Sequence, residues 1–282
     1  MTRTLKLARG ESGLELTGLE WLLDHHKTKE QERRQMVADL DLHPGDRVLD
    51  LGCGPGLWST LLGEKVQPNG SVVGIDFDSS LLEYARDTVQ ESPLSRIIEF
   101  RTGNFYDIAF EDGSFDLVFF GNCFSYVDDF HKALVEQKRV TRQGGRIAAK
   151  DFDGAVFIFH PIDPVLQSKV QLATARGLRE NPPEPAFENY MGRKMHGMFL
   201  REGLRSVTTK SYAIQKVAPL TPEAKRYVSG NAEWYVKTGA PFLSEDEARQ
   251  WRAHFDPESP ACILDREDFY FCMLEVLTVG VV

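Results

Sequence analysis

Cysteine is scarce, and none of it stands in a metal-binding arrangement. Cys53, Cys123, Cys262 and Cys272 are the only four, and no two of them form a CxxC pair. No histidine cluster stands at ligand spacing either, so no metal is expected. Four unpatterned thiols in 282 residues argue against a disulfide-held secreted scaffold, and reduced thiols in a cytoplasmic protein are the simple expectation. Long apolar runs are missing too. The most apolar stretch, FYFCMLEVLTVGVV at 269–282, is shorter than the ~20 residues of a bilayer span, so no membrane partner is expected. The N-terminal MTRTLKLARGESG is basic but has no continuous apolar core, and so does not read as a secretory signal. Positive charge is in deficit: 33 Lys and Arg face 42 Asp and Glu, a net charge of −9. That balance repels phosphate backbones at long range and makes nucleic acid a poor partner. Internal repeats and low-complexity tracts are absent.

What is present is a regular alternation. With 42% hydrophobic residues, a chain of this length suits one large α/β domain or a core with a smaller cap. Residues 1–42 read as an N-terminal helical cap segment that stops at HPGD (43–46). From 43 to 150 strands and helices alternate. RVLDL (47–51), SVVGID (71–76), IIEFR (97–101), FDLVFF (115–120) and GGRIAAK (144–150) read as strands. Between them Leu82, Ala85 and Val89 share one helical face, and Val127, Phe130 and Leu134 mark another helix. Apolar strands separated by amphipathic helices predict a doubly wound, mostly parallel Rossmann-like sheet. After Lys150 the rhythm changes. Residues 151–205 read as a cap insertion, and 206–282 as the last strands of the core (206–215 and 269–278) around a helical insertion at about 216–267.

The first strand runs into Gly52, Gly54 and Gly56, one residue apart. A strand that ends in glycines and turns into a helix offers bare backbone N–H groups and a positive helix end to a ligand. The spacing is not the dinucleotide G-x-G-x-x-G, because the third glycine comes one residue early; that argues against a nicotinamide dehydrogenase. Asp76 ends the next strand twenty residues after Gly56, where an acid can accept both hydroxyls of a ribose. A nucleoside ligand follows, with no pyrophosphate required.

At this point the chain resembles the class I S-adenosylmethionine-dependent methyltransferases. VLDLGCGPG (48–56) resembles their glycine loop and GIDFDSSLLEYAR (74–86) their ribose segment. GNFYDIAF (103–110) is similar to the adenine segment, FDLVFFGNCFSYV (115–127) to the fourth strand with its active-site loop, and VTRQGGRIAAKD (140–151) to the turn and strand that follow. The resemblance implies a seven-stranded sheet with one antiparallel strand, S-adenosylmethionine as cofactor and S-adenosylhomocysteine as product. It implies that Asp50, Leu51, Gly52, Cys53, Gly54 and Gly56 surround the methionine part and that Asp76 holds the ribose. It further implies that Gly121 and Asn122, at the start of the active-site loop, bind the cofactor. Phe77 and Phe105 follow the ribose and adenine positions and are placed to flank the adenine. Asn104 stands where the family often has an acid; its side-chain carbonyl can accept from the adenine amine, and the bland alternative is a turn asparagine. Asp50 has a bland alternative as well, that of orienting the loop.

The implied activity is methyl transfer to an O, N or C atom of a small organic acceptor, such as a secondary metabolite. The other reading keeps the fold and uses the cofactor pocket as a scaffold for a non-methylating reaction or for ligand binding. NPPE (181–184) lies too late in the chain to be the Asn/Asp-Pro-Pro-aromatic element of nucleic-acid amino-methyltransferases. The paired glutamates of protein arginine methyltransferases are absent from 121–127. A hydroxyl acceptor gains from a base, and Asp151, His160 and Tyr126 are the candidates, His25, His26, His131 and His196 standing behind them. A single histidine is more often structural than catalytic. Trp21, Trp234, Tyr235, Phe157, Phe159, Phe187 and Tyr190, with the Met191–Phe199 stretch, suit either an apolar acceptor pocket or a packed cap. A monomer and a homodimer are equally compatible with the sequence.

Overall fold

The computed structural model describes residues 16–182 and 187–282. The stretch read for a signal, and Pro183 and Glu184 of NPPE, lie outside the described residues.

Seven strands form one sheet: β1 (Arg47–Leu51), β2 (Ser71–Asp76), β3 (Ile98–Thr102), β4 (Phe115–Gly121), β5 (Thr141–His160), β6 (Arg205–Val217) and β7 (Tyr270–Val281). Their order is β3-β2-β1-β4-β5-β7-β6. The first five pair in parallel, and β7 runs antiparallel to both neighbours. This is the doubly wound, seven-stranded sheet that the sequence implied. Its central strands are apolar on both faces because both are covered. Val48, Leu117, Phe119 and Ala148 face one core, which includes Met36 of α1 (Leu19–Ala38), Leu62 of α2 (Leu57–Val66) and Ala85 of α3 (Ser79–Gln90). Leu49, Val118, Phe120 and Ile147 face the other, with Leu134 of α4 (Phe130–Val140) and Phe199 of α6 (Met191–Arg201).

One expected boundary moves. The cap insertion read from residue 151 begins ten residues later, because β5 continues to His160. Phe157 and Phe159 are buried while Val156 and Ile158 are exposed, the alternation of a half-buried strand. A register shift between Asp153 and Phe157 disguises this in the sequence. At Gly154 a Cβ would stand 2.1 Å from the Asn189 amide nitrogen. Phe157 and Phe159 are thus core residues of the sheet, where they pack on Trp251 of α8 (Glu245–Ala253).

The remaining helices, α5 (Pro164–Glu180) and α7 (Pro222–Gly239), pack on each other, and α1 lies against α7. Residues of α1, α2 and α7 line one cavity together with the C-terminal ends of β1, β2 and β4. Strand order reverses beside β1, the switch point where open α/β sheets bind ligands.

Candidate active site

The chemistry-bearing turns meet on that edge because parallel strands all deliver their C-terminal ends to one side of the sheet. A cavity of about 280 Å³ runs along it. It is lined by Leu51, Gly52, Cys53, Gly54, Asp76 and Phe77, with Gly103, Phe105, Gly121 and Asn122. The lining also takes in Trp21, His25, Lys29 and Arg33 of α1, Tyr126 and Phe152, and Tyr227, Trp234 and Tyr235 of α7.

The glycine loop is wound left-handed, with φ of +69° at Gly52, +52° at Gly54 and +75° at Gly56. The reasons differ. A Cβ on Gly52 would lie 2.4 Å from Cys123 Sγ, and one on Gly56 2.6 Å from the Phe100 ring, so both let the protein close on itself. A Cβ on Gly54 would meet nothing nearer than 3.8 Å. Protein packing leaves that space open, as a ligand passing close to the backbone requires.

Asp76 ties the loop down. Its Oδ2 accepts from Gly54 N at 2.7 Å and its Oδ1 from Asp78 N at 2.9 Å. A carboxylate has about four acceptor sites, so acceptor capacity remains for a ribose. Burial raises its pKa, opposed by the backbone N–H groups of Asp78, Gly54 and Phe77. Phe77 stands 56% exposed at the cavity mouth, and Phe105 packs edge-on against Tyr106 and Phe120. Asn122 takes φ +61° and accepts from Lys150 Nζ through its side-chain oxygen.

Five residues expected at the site stand elsewhere. Asp50 is buried beneath the loop and accepts from Ser59 Oγ at 2.5 Å; it fixes the start of α2 and does not wall the cavity. Gly56 belongs to the α2 turn, as above. Asn104 is an exposed turn residue, and its Oδ1 is engaged by Tyr106 N at 2.8 Å, which leaves the bland alternative as the observed one. Asp151 accepts from Ser125 N at 3.0 Å and Ser125 Oγ at 2.7 Å, so it holds the turn that carries Tyr126 and is a positioning residue. His160 ends the long β5, exposed and 3.8 Å from Asp268, away from the cavity. Of the three residues expected to be catalytic, Tyr126 alone walls the cavity. The expected pocket aromatics divide likewise: Trp21, Trp234 and Tyr235 wall it, whereas Met191, Met195, Met198 and Phe199 belong to the opposite core.

The sequence reading missed the polar face of α1. Lys29 is 1% exposed; its Nζ meets Glu275 Oε1 at 2.5 Å and His25 Nε2 at 2.7 Å. Lys150 meets the other Glu275 oxygen at 2.7 Å. Arg33 is buried over the Trp58 ring, and its Nε has no hydrogen-bond partner among the described residues. The signal was present: 25, 29 and 33 recur every four residues, one helix face. They sat inside a charged run that reads as a solvated helix.

Burial pushes Asp50 up from 3.8 to about 7, ahead of the opposing Ser59 bond. Unfolded, the group ionises near 4, so the folded state keeps a proton that the unfolded state has lost between about 4 and 7. The stability it contributes is present below about 4 and is lost as pH rises to about 7. Asp50→Asn retains the acceptor for Ser59 and removes the titration. Its melting temperature should match the wild type near pH 4 and exceed it by pH 8; parallel melting curves across that range would contradict the assignment.

Among the described residues no group of three or more His, Cys, Asp or Glu is arranged to hold a metal ion. No described helix is long and apolar enough to cross a membrane. Burial raises the Cys53 and Cys123 thiols well above their ordinary range, which disqualifies both as nucleophiles.

A seven-stranded sheet of this order, with a glycine turn and an acidic strand end at its switch point, defines a Rossmann-like methyltransferase fold. Residues 42–186, about half of the chain, match the family model described as a methyltransferase domain, and the chain belongs to that family, the class I S-adenosylmethionine-dependent methyltransferases. It is 30% identical over 228 residues to an uncharacterized 37.1 kDa protein in transposon TN4556 of Streptomyces fradiae, covering 78% of this chain and 60% of that protein. It is 37% identical over 117 residues to a demethylmenaquinone methyltransferase of Symbiobacterium thermophilum, covering 42% of this chain and 47% of that one. The chain thus spans less than two thirds of the length of these relatives. In fold it is similar to a SAM dependent methyltransferase from Aquifex aeolicus, with a TM-score of 0.51, 22% identity, and coverage of 67% of this chain and 88% of that one.

Proposed function

We propose that the protein transfers a methyl group from S-adenosylmethionine to a small organic acceptor in the cytoplasm. One observation carries the reading: a single cavity joins the glycine loop and Asp76 to an aromatic chamber under α1 and α7. The residues present suit the cofactor. Gly54 leaves room at the backbone, Asp76 retains acceptor capacity for the ribose, and Phe77 and Phe105 offer rings to the adenine. Arg33, beside the glycine loop with an unpartnered Nε, offers a cation to the amino-acid carboxylate. The cofactor supplies an already activated methyl group on a sulfonium. The protein's own residues bind, align and exclude water. Trp21, Tyr227, Trp234 and Tyr235 give the acceptor an apolar-walled cavity, which suits a small molecule better than a polymer. The acidic chain and its few cysteines support a reduced compartment and disfavour nucleic acid.

The test is transfer of isotope-labelled methyl from S-adenosylmethionine to a panel of phenols, carboxylic acids, amines and activated ring carbons. Label in at least one acceptor class is expected. A protein that binds S-adenosylhomocysteine and labels none of them would instead be using the pocket as a scaffold.

A further inference from the structure

The α1 wall of the cavity holds a chain of proton-carrying groups that a purely apolar chamber would not need. Glu275 of β7 meets Lys29 Nζ at 2.5 Å, and Lys29 Nζ lies 2.7 Å from His25 Nε2. His25 stacks on Tyr227 with ring centroids 5.3 Å apart and planes 16° apart, and Trp21 lies 5.3 Å from the same Tyr227 ring. His25, Tyr227 and Trp21 all face the cavity. Burying two ammonium groups and a carboxylate costs several kcal/mol per ion, and packed apolar residues would serve stability as well or better. A buried histidine-lysine pair on the wall of the cavity is therefore read as a device for the acceptor.

We propose that His25 and Lys29 form a proton relay for an acceptor bearing an acidic hydroxyl, a phenol or an enol, bound in the cavity beside Trp21 and His25. This rests on the methyltransferase reading and narrows it to an oxygen acceptor. The hydroxyl O–H bond breaks and its proton passes to His25 Nδ1. His25 Nε2 hands its own proton to the Lys29 amine, and the resulting ammonium is held by Glu275. The oxygen's electron pair forms the O–CH3 bond while the S–CH3 bond breaks, and that bonding pair stays on sulfur as a thioether.

The electrostatics of the pair suit such a relay. Lys29 faces His25 and Arg33 on its own helix, Glu275 on β7, Lys150 on β5 and the Tyr227 ring on α7. Burial pulls Lys29 from 10.5 down to about 7 against the opposing pull of Glu275, so amine and ammonium are both populated near neutrality. Burial, then Lys29 and Arg33, keep His25 well below 6.5, so it stays neutral and passes protons on.

The experiment uses 2-naphthol, whose neutral and ionised forms differ in absorbance, with the intact protein saturated in S-adenosylhomocysteine. Naphthol should bind with its apparent pKa lowered by about one unit or more, a tenfold rise in the ionised fraction. The methyl ether 2-methoxynaphthalene should bind at least about tenfold more weakly. Lys29→Met and His25→Gln should each abolish the pKa shift while S-adenosylhomocysteine still binds. Should Lys29→Met fail to fold, His25→Gln and the wild-type titration decide. Absence of naphthol binding, an unshifted pKa in the wild type, or a shift that survives both substitutions would overturn the relay. Each of those results leaves the methyltransferase reading standing, because that reading fails on different observations: no S-adenosylhomocysteine binding by the wild type, or no label in any acceptor class.

Discussion

Glu275→Ala should destabilise the protein by about 3–5 kcal/mol, the scale of a broken buried ion pair. Glu275 is buried between two ammonium groups, Lys29 at 2.5 Å and Lys150 at 2.7 Å, with His25 at 3.6 Å. Their combined field holds its carboxyl well below the usual range even though burial pushes the other way. Without it, two buried lysines lose their only nearby carboxylate partner among these contacts. The cost follows charge more than shape, so Glu275→Gln should recover little of it. It should also shrink as pH rises towards 7. Glu275 raises the Lys29 value against burial to about 7, so without it the folded variant releases that proton at lower pH, binds fewer protons than the folded wild type below 7, and gains stability faster as pH rises. Denaturant titrations near pH 5 and at pH 7 measure both effects. A loss below about 1 kcal/mol at pH 7 would show that the cluster is not electrostatically organised as described.

Asp76→Ala should weaken S-adenosylhomocysteine binding by about 1–3 kcal/mol, roughly 5–150-fold. Two losses combine. The ribose hydroxyls lose a charged acceptor, and Gly54 N and Asp78 N lose the carboxylate that holds them. The second loss loosens the glycine loop itself, so Asp76→Asn, which retains one acceptor oxygen, should fall between the wild type and the alanine variant. Calorimetric titration of the three proteins gives the comparison, and equal affinities would remove Asp76 from the ribose position.

How much of this was legible in the sequence depended on how local its causes were. The strands up to Lys150 announce themselves because each is a short apolar run bounded by turn residues, and parallel pairing needs nothing further to be recognised. The glycine loop and Asp76 are legible for the same reason: backbone conformation and strand ends are local properties. β5 was read too short because Asp151, Asp153 and Gly154 break the apolar run. The register shift against β7 that accommodates them is a non-local fact. Asp151 and His160 looked alike, as polar groups near the end of one strand. The fold buries the first under the Ser125 turn and carries the second to an exposed end. The polar face of α1 was the largest omission. Lys29 is buried only because Glu275, 246 residues away, comes to meet it. No periodicity within α1 separates such a lysine from the solvated ones beside it.

The most direct test of the central claim is a calorimetric titration of the wild-type protein with S-adenosylhomocysteine, set beside one with NAD. The cavity predicts saturable binding of S-adenosylhomocysteine at one site per chain and no saturable binding of NAD. Binding of NAD alone, or of neither compound, would contradict the account.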